Sequence, residues 1–102
     1  MEKSTVTKWV PTTDLMTLRR FGKMLEELGE LTEVASRCII QGIDELDPST
    51  QRMNRVRLVD EIADVYAQLD ETIEAFDLNK FYIEKRRAKK RAYMQEWEEM
   101  FK

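Results

Sequence analysis

Two short acidic motifs contain the residues of this chain best suited to chemistry. Residues 26–30 read EELGE and residues 60–64 read DEIAD. Each motif holds two acids three positions apart, Glu27 with Glu30 and Glu61 with Asp64. On a helix that spacing places both carboxylates on one face. Carboxylate oxygens are the ligands that hard divalent cations prefer, so each motif is a candidate half of a metal site.

The two acid pairs share one register if their helices form an antiparallel hairpin. In such a hairpin, residues that face each other have residue numbers with a constant sum. The pair Glu27 and Asp64 and the pair Glu30 and Glu61 have the same sum, so the members of each pair lie level. The turn centre that this register requires falls inside residues 42–50, which are rich in turn-forming residues. Four carboxylates at one level repel one another, so a cation is expected to balance them. The sequence therefore predicts a metal site between two helices.

Composition narrows both the metal and the chemistry. The chain has no histidine and a single cysteine, Cys38, so catalysis by Ser-His-Asp or Cys-His groups, zinc sites built on histidine and internal disulfides are all excluded. An oxygen-only ligand set favours Mg²⁺, with Mn²⁺ as the second choice. The three glycines are too scattered for a phosphate-binding glycine loop. Mg²⁺ keeps several waters and usually recruits substrate phosphates, so this ligand set suggests phosphate chemistry.

Length and charge predict one small helical domain spanning residues 1–102. Of these residues 42% are hydrophobic and 36% are charged, which is typical of amphipathic helices with solvated faces. No apolar run is long enough to cross a membrane, and residues 1–5 lack the apolar character of a signal peptide. We therefore expect a soluble, cytoplasmic protein without a membrane partner.

Hydrophobic periodicity predicts an all-α fold with three helices after a polar N-terminal arm, residues 1–13. The helices cover residues 15–40, 53–76 and 80–101, and no strand pattern is visible. The first two carry apolar stripes at steps of three and four residues, and a hairpin of two helices is too thin to bury both stripes. We expect an obligate homodimer with a four-helix core.

The third helix is peripheral in this scheme and strongly basic. Residues 80–91 hold seven basic side chains and one acid, whereas the whole chain has a net charge of −3. Lys85 and Arg86 are the candidate contacts to a substrate phosphate. The acidic overall balance and the lack of a recognition motif argue against nucleic acid as the partner.

The acidic motifs resemble a known family. Glu26-Glu27-x-x-Glu30 followed by Glu61-x-x-Asp64 is similar to the EExxE…ExxD signature of the MazG-like, all-α nucleoside triphosphate pyrophosphohydrolases, and the resemblance extends over residues 21–76. It implies a Mg²⁺-dependent enzyme that cleaves a nucleotide to its monophosphate and pyrophosphate. It also implies that Glu27, Glu30, Glu61 and Asp64 ligate the metal, and that Glu26 binds a second metal or orients the attacking water.

The chain departs from that family in two places. Thirty residues separate Glu30 from Glu61, a longer connection than is usual, so an extra helical turn or a lid-like loop is expected there. The last helix often carries a lysine followed four residues later by asparagine; Lys85 matches the lysine, but Lys89 stands at the second position.

Two alternative functions stay open at this point. One is phosphoribosyl-ATP pyrophosphohydrolase, which has a similar arrangement of carboxylates on helices. The other is a non-enzymatic helical interaction module that retains a vestigial metal site. Activity on phosphoribosyl-ATP alone distinguishes the first, and partner binding without nucleotide turnover distinguishes the second.

Overall fold

A computed structural model describes residues 5–102 and shows an all-α fold. Its elements are α1 (Leu15–Gln41), β1 (Leu46–Asp47), β2 (Arg52–Met53), α2 (Asn54–Ala75) and α3 (Lys80–Glu99). The helices begin and end within two residues of the positions predicted from the sequence. Two compact units divide the chain, one ending at Gln68 and one formed by Leu69–Lys102. None of the described helices combines the length and the apolar character that a membrane crossing requires.

The helix boundaries have local causes. Asp14 caps α1, because its side chain accepts a hydrogen bond of 2.9 Å from the backbone N–H of Thr17. Gly42 ends α1 with a φ of 104°, a conformation that other residues rarely adopt. Asn79 caps α3 in the same way as Asp14, by accepting from the N–H of Tyr82. Side-chain caps therefore fix the starts of α1 and α3, which begin at the predicted residues 15 and 80.

The connection between α1 and α2 corrects the prediction that the chain contains no strand. Leu46 pairs with Met53 and Asp47 with Arg52 in a two-stranded antiparallel sheet. The amide N–H groups of Asn54 and Arg55 then donate to the carbonyls of Glu45 and Ile43. Strands of two residues are too short to produce an alternating pattern, so sequence periodicity does not reveal them. The long connection is thus a small β-hairpin, and not an extra helical turn.

A buried ion pair holds this β-hairpin against the start of α2. Nη1 of Arg57 lies 2.8 Å from Oδ2 of Asp47, and their side chains are only 13% and 2% exposed. The other oxygen of Asp47 accepts hydrogen bonds from the backbone N–H and the hydroxyl of Ser49. Asn54, which is fully buried, donates to the side chain of Gln41 and to the carbonyl of Gly42. Polar contacts therefore fix how the chain reverses between the helices.

We predict that Asp47→Ala lowers the melting temperature by roughly 10 °C, because loss of one partner from a buried pair leaves the other charge uncompensated. Asp44→Ala is the matched control. Asp44 also pairs with an arginine, Arg55, at 2.6 Å, but both side chains are more than half exposed. Exposed pairs contribute little, so the control should shift melting by no more than about 4 °C. Equal shifts measured by circular dichroism would contradict the prediction.

Asp47 also makes the stability of the fold depend on pH in the acidic range. The hydrogen bond from the Ser49 N–H is the largest cause that lowers the pKa of Asp47 below its usual range. The stabilisation from this carboxylate is present above the ordinary pKa of aspartate and is lost as the pH falls through the lowered value.

The seam between α1 and the first part of α2 lies on the acidic side of both helices. Val34 and Val65 are its buried apolar residues, at 0% and 7% exposed, and Glu27 and Glu61 lie partly buried between the same helices. The predicted apolar stripes face largely away from this seam and are exposed: Leu18, Phe21, Leu25, Leu28 and Ile39 on α1, and Val56, Val59, Ile62 and Tyr66 on α2. Each helix therefore has a second apolar face that is largely exposed in the isolated chain.

Candidate metal centre

The structure brings together the four acids that the sequence predicted to lie level. Glu27 and Glu30 project from α1, and Glu61 and Asp64 from α2. One carboxylate oxygen from each residue lies within 4.8 Å of the oxygens of the other three. Glu27, Glu30 and Glu61 are partly buried, whereas Asp64 is exposed. We call these four residues the carboxylate cluster.

The carboxylate cluster contains oxygens that lack partners. Oε2 of Glu27 and Oε2 of Glu61 are both buried and have no hydrogen-bond donor within reach. A buried carboxylate oxygen without a donor or a cation is costly, since it has lost its hydration without replacement. The two oxygens belong to opposite helices. A cation held between the helices is a natural way to satisfy both.

The raised pKa of Glu30 also favours a cation in the carboxylate cluster. Desolvation raises the pKa of the Glu30 carboxyl above its usual value, and the negative charges of Glu27 and Glu61 raise it further. The folded chain therefore holds a proton at Glu30 more tightly than the unfolded chain does. A divalent cation removes that preference by neutralising the neighbouring charges.

The fit of Mg²⁺ or Mn²⁺ follows from these donors. Every ligand atom in the cluster is a carboxylate oxygen, which suits a hard cation, and neither sulfur nor imidazole competes for it. The partly buried members Glu27, Glu30 and Glu61 would hold the ion from both helices. Asp64 would close the ligand set on the exposed side, where water and phosphate oxygens have access.

Metal binding should make stability depend on pH in a defined direction. Because the pKa of Glu30 is raised on folding, the stability linked to this group is full below the ordinary pKa of glutamate and is lost as the pH rises past the raised value. We therefore expect millimolar Mg²⁺ to raise the melting temperature by several degrees near neutral pH, by roughly 5 °C. The gain should shrink near pH 4, where a proton competes with the metal for the Glu30 carboxylate. A gain that is equal at both pH values would contradict this expectation.

Two further acids of the motifs, Glu26 and Asp60, lie outside the cluster. The Glu26 carboxylate is more than half exposed and lies 3.4 Å from Nζ of Lys23. Asp60 is paired with Arg52, at 2.5 Å between Nη2 and Oδ2. Glu26 keeps its predicted candidate role beside the cluster, whereas Asp60 is engaged by the β-hairpin. Nζ of Lys23 also lies 3.2 Å from Oε1 of Glu27.

The predicted phosphate contacts lie in the second unit. Lys85 and Arg86 are exposed on α3 and, with Tyr82 and Lys89, line a shallow pocket there. Nζ of Lys89 lies over the ring of Tyr93, 5.8 Å from its centre. None of the α3 residues is buried. The basic side chains of α3 thus form a solvated surface in the isolated chain.

Sequence reasoning missed the polar residues that hold the hairpin. Asn54, Asp47 and Arg57 precede or follow turns and carry no motif, so their burial could not be read from spacing. Arg37 also lies in the seam, with a buried Nε that has no hydrogen-bond partner. The available signal was the register of the acid pairs, which places α1 and α2 side by side and makes any polar residue on that side a candidate for burial.

Comparison with protein-family models, with curated proteins and with solved structures finds no match for this chain.

Proposed function

We propose that this protein is a Mg²⁺-dependent nucleotide pyrophosphohydrolase that cleaves nucleoside or deoxynucleoside triphosphates to monophosphate and pyrophosphate. The observation that carries the proposal is the convergence of the carboxylate cluster from two helices, with a buried unpartnered oxygen on each. The motif resemblance supplies the reaction, and the geometry of the four acids is compatible with it.

When bound, the divalent ion would neutralise polyphosphate charge and increase the acidity of a water molecule. The chain itself supplies three things. Glu27, Glu30 and Glu61 bind the ion between the helices, and exposed Asp64 marks the side from which a polyphosphate approaches. Glu26, exposed and adjacent to the cluster, would accept a proton from the attacking water at its carboxylate.

Water is the nucleophile in this proposal because the nearby hydroxyl groups of α1 are engaged. The hydroxyl of Thr32 donates to the carbonyl of Leu28, and that of Ser36 donates to the carbonyl of Glu33. Cys38 follows Glu27 by eleven residues, which is about 16 Å along a helix. These distances and bonds leave direct hydrolysis as the simplest route.

The proposed assembly is a homodimer with a four-helix core, or a tetramer built from it. Support comes from the exposed apolar faces, where Leu25, Val59 and Tyr66 are each more than 60% exposed. Gly22 and Gly29 lie on the same side of α1 as Leu25 and leave open space around them, so another helix can approach closely. Exposed apolar surface on this scale is typical of an interface.

The direct test is turnover of a panel of ribo- and deoxyribonucleoside triphosphates, with and without Mg²⁺, reading monophosphate and pyrophosphate separately. Metal-dependent release of pyrophosphate supports the proposal and ranks the bases. Activity on phosphoribosyl-ATP alone would select the first alternative. Absence of turnover together with absence of metal binding would select the interaction module. The favourable observation for that module is the basic helix α3, none of whose residues is buried.

A further inference from the structure

Lys23 is the one basic residue among the described residues that forms an ion pair with a member of the carboxylate cluster. It lies one turn before Glu27 on α1, and its Nζ is 3.2 Å from Oε1 of Glu27 and 3.4 Å from Oε1 of Glu26. The lysine side chain is 54% exposed, whereas that of Glu27 is 13% exposed. A half-exposed ammonium thus pairs with a largely buried carboxylate of the cluster.

The two oxygens of Glu27 have different surroundings. Oε1 faces the ammonium of Lys23, and Oε2 is buried without a donor. Glu27 is therefore shared between a cation that the chain carries and the position where a divalent ion would bind. A single positive charge close to that position repels an incoming divalent cation, and it also withdraws the carboxylate on which the cation depends.

We propose that Lys23 is a built-in counter-cation that competes with the divalent metal for Glu27 and so weakens metal affinity. This inference rests on the proposed function, because it concerns the regulation of the same site. Lys23 stabilises the metal-free cluster by offsetting repulsion among its carboxylates. It keeps the site open to a metal that arrives together with phosphate oxygens, whose negative charge the freed ammonium can then meet.

The opposite role for Lys23 makes a different prediction. If the lysine only orients Glu27 as a structural support, its removal loosens the site and weakens metal binding. If it competes with the metal, its removal tightens metal binding while it destabilises the metal-free protein. The direction of the change in affinity therefore separates the two roles.

The experiment is calorimetric titration of Mg²⁺ alone into the full chain and its variants. Lys23→Gln should tighten the dissociation constant about threefold to tenfold, because one positive charge near a doubly charged ion is removed. Lys23→Arg keeps the charge and should stay within about twofold of the parent. The matched control is Arg19→Gln, which removes a positive charge from α1 about 12 Å along the helix from Glu27, beyond the screening length.

Thermal melting without metal gives a second, independent readout. Lys23→Gln should melt below the parent in the absence of Mg²⁺, and saturating Mg²⁺ should remove most of that difference. Unchanged or weaker Mg²⁺ binding in Lys23→Gln, with normal binding in the parent, would overturn this inference and leave the proposed function standing. No binding by either protein would overturn both, whereas binding gained only in Lys23→Gln would support the competition.

Discussion

Replacement of Glu61 by glutamine should abolish pyrophosphate release, lowering turnover by roughly three orders of magnitude. Glu61 is partly buried on α2 and contributes one oxygen to the carboxylate cluster, and its Oε2 has no hydrogen-bond partner. Glutamine has the same shape but lacks the charge that would hold a divalent ion in the proposed function. A metal ion at a phosphoryl centre contributes several kcal/mol to the reaction, and each 1.36 kcal/mol is tenfold in rate.

The same substitution should stabilise the protein in the absence of metal. Removal of one of four mutually repelling carboxylates lowers the electrostatic cost of folding, so the metal-free variant should melt above the parent by roughly 3–5 °C. Mg²⁺ should raise that melting temperature little. Loss of activity together with a gain in stability distinguishes a functional carboxylate from one that simply supports the fold.

Glu33→Gln is the control for this pair of measurements. It removes the same charge from α1 at an exposed position outside the carboxylate cluster. Turnover and the response to Mg²⁺ should both stay within about twofold of the parent, since isolated surface charges are screened by solvent and salt. Comparable loss of activity in Glu33→Gln and Glu61→Gln would remove the cluster from the mechanism.

The level arrangement of the four acids was predictable because it depends on two robust properties of helices. Spacing of three residues fixes which side chains share a face, and a hairpin fixes which positions lie opposite each other. These two rules were enough to predict that Glu27, Glu30, Glu61 and Asp64 lie together. The caps at Asp14 and Asn79 were accessible for a similar reason, because short polar side chains before an apolar run satisfy free N–H groups.

Periodicity did not predict which faces of α1 and α2 meet in the seam. Both helices have an apolar stripe and an acidic stripe, and the usual expectation is that apolar stripes meet first. In the structure the acidic side lies in the seam, fixed by buried polar contacts of Asp47 with Arg57 and of Asn54 with Gln41. Those contacts depend on the exact path of the β-hairpin, whose two-residue strands leave no periodic signal.

The exposure of the apolar stripes strengthens the case for a partner subunit. Among the described residues the chain buries few large apolar side chains: Val34 is fully buried and Val65 nearly so, while Leu25 is 65% exposed. A chain of this size with so little apolar burial is expected to gain stability by association. A second copy supplies the same apolar faces, and twofold symmetry lets each cover the other.

Leu25→Glu should therefore break the assembly. Leu25 lies on the face of α1 opposite Val34 and is 65% exposed, so in an isolated chain the substitution changes a mostly solvated position. In a dimer it places a charge in an apolar interface, at a cost of several kcal/mol per subunit. Light scattering should give the parent a mass of at least twice the chain mass of 12.2 kDa, and the variant a mass of 12.2 kDa. The variant should also lose helicity on dilution.

Arg19→Glu tests whether that effect belongs to the apolar face. It introduces the same residue on the same helix, at an exposed position about a third of a turn away from Leu25 around the axis. The assembly should survive it at micromolar concentration. If the parent chain already has a mass of 12.2 kDa, the exposed leucines of α1 are not an interface between copies. The four-helix core would then be wrong even where the carboxylate cluster binds its metal, because that cluster is complete within one chain.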